Sequence, residues 1–335
     1  MGFFIRALRQ PSVAIRRAYT TATSDINVSA MVYSSYGKPS EVLKWHTYKL
    51  PALTPDTIQV KFLAAPVNPA DVNQIQGAYP IKPPFLPLGD TEAAVGGNEG
   101  VAQVIAVGEN VHSHKVGDHV VMAKAGYGTW RTHATGRPED FQILRNTEGV
   151  SLIQQATIAV NPCTAYRMLK DFVTLQPDLD KLRETLKDLG ATHVITDEEL
   201  GTHEMRSQIK SWTKKAPLLG LNCVGGKNAT EMARYLGMNG KFVTYGAMAR
   251  APLSLPASML IFKNISFHGF WVSKWVNTHS VEERDEMFKD LTELMQQGKL
   301  AEPRWTKVDW QEEAMKEAVE KGIQGYTQGK QVVLF

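Results

Sequence analysis

The residue types that most often bind metals or act as nucleophiles are sparse in this chain. Its two cysteines, Cys163 and Cys223, are too few for a disulfide framework or a cysteine-based zinc site, and both stand in apolar or turn contexts typical of buried, inert thiols. His133 has no cysteine or acidic residue at ligand spacing. We therefore predict no metal site.

Two other segments place polar or small residues where ligands commonly bind. In "VTYGAM", Tyr245 to Met248 follow an apolar strand, and loops at the carboxyl ends of parallel strands are the usual ligand sites of α/β folds. In "IQGAY", Tyr79 precedes the proline-rich loop "PIKPPFLPLGDTEAAVGG", and long structured loops are often functional. A tyrosine there can equally pack with its hydroxyl in water, so its type alone leaves both interpretations open.

The first half of the chain has the pattern of a β-rich domain. Between Val28 and Asn146, short apolar runs such as "TIQVKFLAAPVNP" and "GDHVVMAKAG" alternate with glycine and proline turns. "GNEG" and "GTWRTH" read as turn and barrel positions within it. We expect the last strand, "QVVLF", to return to this domain.

The second half alternates between strands and helices. Asn161 can cap a helix whose first position is Pro162, and Ala165, Leu169 and Phe172 repeat on one face of it. A second helix over Leu179–Leu189 leads into a strand at "ATHVIT". Further apolar strands and amphipathic helices follow, the strands in "PLLGLNCVGG", "KFVTYGAM" and "IFKNISFHGFWVS", the helices in "NATEMARYLGMNG" and "SVEERDEMFKDLTELMQQGKL". This alternation predicts a parallel sheet covered on both faces.

Charge and hydropathy limit where the protein is expected to be located and which partners it is expected to bind. Residues 1–24 contain four arginines and no acid, the composition of a mitochondrial transit peptide; a disordered basic tail is the alternative. The formal net charge is +3, so the remainder is nearly neutral and gives no support to nucleic-acid binding. With no apolar run near the length of a membrane span, we expect none.

Five motifs together resemble one family: "NPADVNQIQGAY", "GGNEGVAQVIAVG", "GTWRTH", "VNPCTAYRML" and "LNCVGGK…VTYGAM…FKN…GFW". They are similar to the mitochondrial trans-2-enoyl-thioester reductases of the zinc-free medium-chain dehydrogenase/reductase superfamily, in the fungal form. The resemblance implies an α/β protein with a GroES-like β-rich catalytic domain, residues 25–160 and 305–335, and a Rossmann-type doubly wound domain, residues 161–304. It further implies NADPH-dependent reduction of enoyl-CoA or enoyl-acyl-carrier-protein in the mitochondrial matrix by a homodimer.

The same resemblance assigns roles to individual residues. It makes Tyr79 the proton donor that contacts the substrate carbonyl. It places Lys330 on a cofactor phosphate. The remaining residues that it assigns to the cofactor site are Asn161, Tyr245, Gly246, Ala247, Met248, Phe270, Trp271 and Val272. Ala247 stands where the family usually has a second glycine.

One family feature is missing. The family has a strand, a small-residue phosphate turn, a helix and a second strand ending in a basic segment after "LQP", whereas here Pro177 is followed at once by Asp178. The gap is about thirty residues, roughly a βαβ unit less one strand. The lost turn would hold the cofactor pyrophosphate at a helix N-terminus. The clean edges indicate a skipped exon or a mispredicted intron.

Three functions therefore compete. The first is a reductase of enoyl thioesters, of which this chain is a shortened copy. The second is a catalytically silent variant that acts at most as an acyl-binding or scaffold protein. The third is a related quinone or enone reductase. A retained tyrosine site favours the first, and the excised turn favours the second.

Overall fold

A computed structural model describes residues 26–172, 191–212, 215–324 and 329–335. The predicted leader at 1–24, the junction at Pro177 and Asp178, and the predicted helix over Leu179–Leu189 lie outside these residues. In the described ranges, every helix is too short or too polar to cross a membrane.

The β-rich domain consists of two sheets that the first half of the chain builds and its end completes. Its described strands are β1 Asn27–Tyr33, β2 Lys44–Lys49, β3 Ile58–Pro66, β4 Leu86–Leu88, β5 Thr91–Val95, β6 Val101–Val107, β7 His119–Met122, β8 His133–Gly136, β9 Phe141–Ile143, β13 Trp305–Val308 and β14 Lys330–Leu334. One sheet has four strands in the order β2-β1-β5-β4, and the other has seven, in the order β13-β14-β3-β6-β7-β9 with β8 beside β3.

In the described residues, the second unit is a parallel sheet whose strands are β10 Leu219–Asn222, β11 Lys241–Thr244 and β12 Ser266–Gly269, in the order β10-β11-β12. The described α-helices are α1 Pro39–Val42, α2 Pro69–Ile75, α3 Leu152–Thr157, α4 Asn161–Phe172, α5 Asp197–Leu200, α6 His203–Trp212, α7 Gly226–Arg234, α8 Ala257–Lys263, α9 Val272–Thr278, α10 Val281–Gln296 and α11 Glu312–Gln324. Strand and helix alternate from β10 to β12, so the predicted α/β arrangement is confirmed.

The predicted return of the chain end is also confirmed. β14 pairs antiparallel with β3, with Val333 opposite Ala65. Met287 and Phe288 of α10 share a core with Val121 and Ile153 of the β-rich domain. The predicted domain boundary at residue 305 stays a prediction.

The predicted strand at Ala191 to Thr196 is wrong. These residues form no strand, and Thr196 instead caps α5 by accepting a hydrogen bond from Glu199 N at 3.3 Å. His193 stacks on Trp212 with ring centroids 3.9 Å apart. A strand needs hydrogen bonds from a neighbouring strand. Among the described strands, β10 pairs only with β11, so the segment from Ala191 to Thr196 has no described strand beside it.

Helix α4 forms in the predicted region, but it begins one residue earlier and buries another face. Cys163 and Met168 are buried, while Leu169 of the predicted stripe is 39% exposed. The expected capping role of Asn161 is also wrong, because Thr164 N already donates to Val160 O and the helical bonding starts one residue earlier. The β-rich core, rather than the parallel sheet, selects the buried face of α4.

Candidate active site

Tyr79 is held just after α2 by backbone hydrogen bonds. Ala78 N and Tyr79 N both donate to Asn73 O, at 2.8 and 3.1 Å. Pro69 opens α2, and Asn68 N donates to the Asp71 carboxylate at 2.7 Å, so the helix is fixed at its start as well. The tyrosine therefore leaves a rigid helix through a short, fully bonded turn.

The structure brings Tyr79 directly against Trp271. The indole Nε1 of Trp271 donates to the phenol oxygen of Tyr79 at 3.0 Å, and the two rings meet edge to face with centroids 6.1 Å apart. Trp271 stands at the end of β12, where it is the residue before α9. The two resemblance-based site residues, far apart in sequence, form one pair.

A cleft of about 190 Å³ opens beside this pair. Its lining is mostly apolar and comes from segments far apart in the sequence; it includes Tyr79, Ile81, Met122, Val160, Val272 and Phe288. A pocket of this kind, apolar with a few convergent polar groups, is the usual form of a small-molecule site.

The turn after β11 lies against the end of β10. Tyr245 N donates to Asn222 O at 2.9 Å, and Met248 N donates to Cys223 O at 3.1 Å. A Cβ at Gly246 would come within 2.7 Å of Cys223 O, so this close approach requires glycine. Ala247 is exposed. The turn sits at the carboxyl edge of the parallel sheet, where the sequence placed it.

The phenol of Tyr245 is a poor proton donor. Burial, together with a hydrogen bond and a charge interaction with Cys223, raises the pKa of Tyr245 to about 12. Cys223 is half-buried, unlike the buried Cys163, so the expectation of an inert buried thiol holds for only one of the two. Of the two tyrosines assigned to the site, only Tyr79 lines the cleft.

Phe270 and Val272 flank Trp271 in the same segment. Phe270 N donates to Thr244 O at 2.9 Å, which ties the end of β12 to the end of β11. Its ring meets Phe172 edge to face, at a centroid distance of 6.5 Å. Val272 lines the cleft. Asn161 lies exposed at the start of α4, next to Val160 of the cleft lining.

Lys330 forms an ion pair inside the β-rich domain. Its Nζ lies 3.6 Å from Oε2 of Glu99, and the two side chains are 12% and 0% exposed. The ammonium group thus neutralises a buried carboxylate, which explains why a lysine near the chain end is not solvated. The contact with a cofactor phosphate stays a prediction.

Sequence reasoning missed a buried polar network behind the cleft. Asn98 of "GNEG" donates to the carboxylate of Asp71 at 2.7 Å and accepts from Gly126 N at 2.7 Å, while Asn68 donates to Glu99 at 2.9 Å. Burial raises the pKa of Asp71 to about 7, against the opposing effect of its hydrogen bonds. The available signal was a pair of polar residues between glycines that the prediction treated as a turn.

The described residues fit the nicotinamide end of a dinucleotide. Beyond the end of β12, Trp271 contacts Tyr79, and Phe270 N ties the same segment to Thr244 at the end of β11, the edge of a parallel sheet where such a ring binds. For the pyrophosphate, among the described residues before β10 no strand leads through a glycine turn into a helix. Within the described ranges, no group of three or more His, Cys, Asp or Glu residues could hold a metal ion.

Two family models match the chain. The alcohol dehydrogenase GroES-like domain matches residues 54–161, and the zinc-binding dehydrogenase model matches residues 172–296. Together with the two-unit fold, they define a medium-chain dehydrogenase/reductase.

Similar proteins narrow this class. The human mitochondrial enoyl-[acyl-carrier-protein] reductase is 39% identical over 352 residues, covering 94% of this chain and 91% of the relative. Two solved structures, the Etr1p complex with NADP and crotonyl-CoA and the Etr1p/Etr2p heterodimer of Candida tropicalis, are each 34% identical with a TM-score of 0.85, covering 92% of this chain and all of theirs. The chain belongs to the family of mitochondrial enoyl-[acyl-carrier-protein] reductases.

The alignment length and the identities bear on the predicted internal loss and on the predicted fungal form. The alignment with the human relative spans 352 residues, more than the 335 of this chain, so the relative has positions that this chain lacks. Where those positions lie along the chain stays a prediction. Identity to the Candida structures, 34%, is below the 39% to the human relative, so the expected fungal form has no special support.

Proposed function

We propose that this chain reduces the double bond of trans-2-enoyl thioesters, carried by coenzyme A or by acyl carrier protein, with NADPH as the hydride source. The observation that carries the proposal is the Trp271 to Tyr79 hydrogen bond beside an apolar cleft. An enoyl thioester has an apolar chain for the cleft and a carbonyl oxygen for the phenol. The family membership of the chain supports the same reaction.

Bound NADPH would supply the hydride that adds to C3 of the enoyl group. The hydroxyl of Tyr79 donates to the thioester carbonyl oxygen, where negative charge develops, and its proton goes to C2. Because Trp271 donates to the phenol oxygen, the phenol proton remains free to point at the substrate. After proton transfer, the same indole N–H stabilises the phenolate.

We propose that the nicotinamide half of the cofactor is held by the start of α4 and by the segments that follow β11 and β12. These are Asn161, Tyr245, Gly246, Ala247, Met248, Phe270, Trp271 and Val272. For the pyrophosphate half, this chain lacks the phosphate turn of the family, whose backbone N–H groups at a helix N-terminus favour anions. Two lost charge-assisted hydrogen bonds of about 1.5–3 kcal/mol each correspond to a loss of roughly a hundredfold or more in affinity.

The deciding experiment compares this chain with a version in which about thirty residues, copied from the human relative, are inserted between Pro177 and Asp178. Crotonyl-CoA reduction is followed by the loss of NADPH absorbance. We expect turnover in the longer protein and a far higher NADPH concentration requirement in the shorter one. If the longer protein is folded and reduces no enoyl-CoA, the proposed function is wrong.

The silent acyl-binding alternative has one observation in its favour, the missing pyrophosphate cradle among the described residues before β10. Calorimetry separates the two functions: a chain that binds crotonyl-CoA and no NADPH at millimolar concentration is the silent variant. Quinones assayed in parallel with crotonyl-CoA test the third candidate.

We further propose a homodimer in the mitochondrial matrix. β12 pairs with β11 and with no other described strand, which leaves an edge for a second copy. Nearby, Ile261 and Phe262 of α8 are 71% and 72% exposed, which is unusual for large apolar side chains. Phe262→Glu is expected to convert dimers to monomers in light scattering. The relatives' mitochondrial names support the location.

A further inference from the structure

A second hollow adjoins the cleft beside Tyr79. It has a volume of about 380 Å³ and lies between β9, the loop after β7 and α10. The two cavities share three lining residues, Ala123, Gln142 and Arg284. These three residues therefore form the wall between the cleft and the second hollow.

Hydrogen bonds hold this wall together. Nη1 of Arg284 donates to Ala123 O at 2.7 Å, and Nε2 of Gln142 donates to Oδ1 of Asp285 at 2.6 Å. Each bond links α10 to a different part of the β-rich domain, so the wall is braced from both sides. Side chains held in this way cannot move aside without losing buried hydrogen bonds.

Arg284 is an unusual residue for this position. It is 9% exposed, and its Nε has no hydrogen-bond partner among the described atoms. One turn further along α10, Phe288 lines the apolar cleft, as does the neighbouring Met287. A buried guanidinium at the end of an apolar cleft disfavours an apolar chain, which would fill the space beside an unpaired charged donor without bonding to it.

We propose that Arg284, with Gln142 beside it in the wall, sets the acyl chain length that the protein accepts. The inference rests on the proposed function, because it assumes that the thioester lies at Tyr79 and that the acyl chain enters the cleft. An acyl chain that fits the cleft buries each of its methylenes. A longer acyl chain meets the guanidinium of Arg284 and gains no further affinity, although a second hollow lies directly behind that group.

The test measures binding, so it does not depend on turnover. Affinities for hexanoyl-CoA and dodecanoyl-CoA are determined by calorimetry for the unmodified chain, for Arg284→Ala, and for Lys289→Ala as a matched control on the exposed face of α10. Each newly buried methylene raises affinity about fourfold. We expect Arg284→Ala to bind dodecanoyl-CoA at least tenfold more tightly with hexanoyl-CoA affinity unchanged, and the control to match the unmodified chain.

The outcomes separate the two proposals. If the unmodified chain binds hexanoyl-CoA and the ratio of the two affinities is the same in Arg284→Ala, the wall proposal is wrong and the proposed function stands. If no variant binds either acyl-CoA, the proposed function itself is contradicted, because the chain does not bind the class of substrate that it requires. Should Arg284→Ala fail to fold by circular dichroism, Gln142→Ala opens the same wall from β9, and an unchanged ratio there also overturns the proposal.

Discussion

Trp271 donates its indole N–H to the phenol oxygen of Tyr79 at 3.0 Å, which joins residues from two different parts of the fold. Tyr79 follows α2 of the β-rich domain, and Trp271 lies two residues beyond β12, the last strand of the parallel sheet. The contact between Tyr79 and Trp271 thus depends on how the two parts are docked. Turnover measurements on this pair use the protein with about thirty residues of the human relative inserted between Pro177 and Asp178.

Removal of the Tyr79 hydroxyl tests its role as proton donor. Tyr79→Phe is expected to lower kcat for crotonyl-CoA by about a hundred- to ten-thousandfold, the usual contribution of a general acid, with KM little changed. Trp271→Phe removes one hydrogen bond of about 1 kcal/mol and should lower kcat roughly fivefold. Trp310, whose Nε1 donates to Ser29 Oγ at 2.8 Å away from the cleft, supplies the control Trp310→Phe. Full activity in Tyr79→Phe would exclude the acid role.

The glycine turn after β11 offers a pair of adjacent substitutions with opposite expectations. Gly246→Ala places a Cβ within 2.7 Å of Cys223 O and must shift the turn. We expect KM for NADPH to rise about tenfold or more, the effect of losing one hydrogen bond of about 1.5 kcal/mol. Ala247 is exposed, so Ala247→Gly should leave that KM within about twofold. Equal effects of the two substitutions on KM would contradict the assignment of this turn.

The Lys330 and Glu99 pair predicts a stability effect rather than a cofactor effect. Lys330→Met leaves the buried Glu99 carboxylate without its cation, which typically costs about 3–5 kcal/mol. Denaturant unfolding should show this loss, and adding Glu99→Gln should recover part of it. KM for NADPH is expected to remain within about threefold, since no more than a few tenths of a kcal/mol is then lost from cofactor binding. A normal unfolding free energy with a large rise in that KM would restore the phosphate role.

Asp71 predicts a pH-dependent component of stability. Its pKa in the folded protein, about 7, lies above the unfolded value of 3.8 because burial disfavours the charged form. The folded state therefore binds more protons between these values, and its stability falls as pH rises from about 4 to about 7. The component is on the order of 1 kcal/mol or more. Asp71→Asn should abolish it in unfolding measurements across this range, whereas Asp56→Asn, an exposed carboxylate, should not.

The sequence determined the local elements and the chemical family. Its glycine-punctuated apolar runs specify the β-rich strands, and the alternation after residue 215 specifies β10 to β12, since each pattern depends on neighbours close in sequence. The motifs also predicted Tyr79 and Trp271 as site residues, and the fold brings these two into contact. The predicted internal loss rests on Pro177 being followed at once by Asp178.

Only the tertiary structure decided how these parts meet. The segment from Ala191 forms no strand because a strand depends on a partner that local sequence does not supply. Lys330 became a buried counter-ion because β14 carries it to Glu99, about 230 positions away in sequence, at an interior site where a carboxylate needs a cation. Likewise, Arg284 and Gln142 form a cleft wall only once α10 packs on β9. Side-chain type fixes what a residue can do, whereas packing between distant segments fixes which partner it meets.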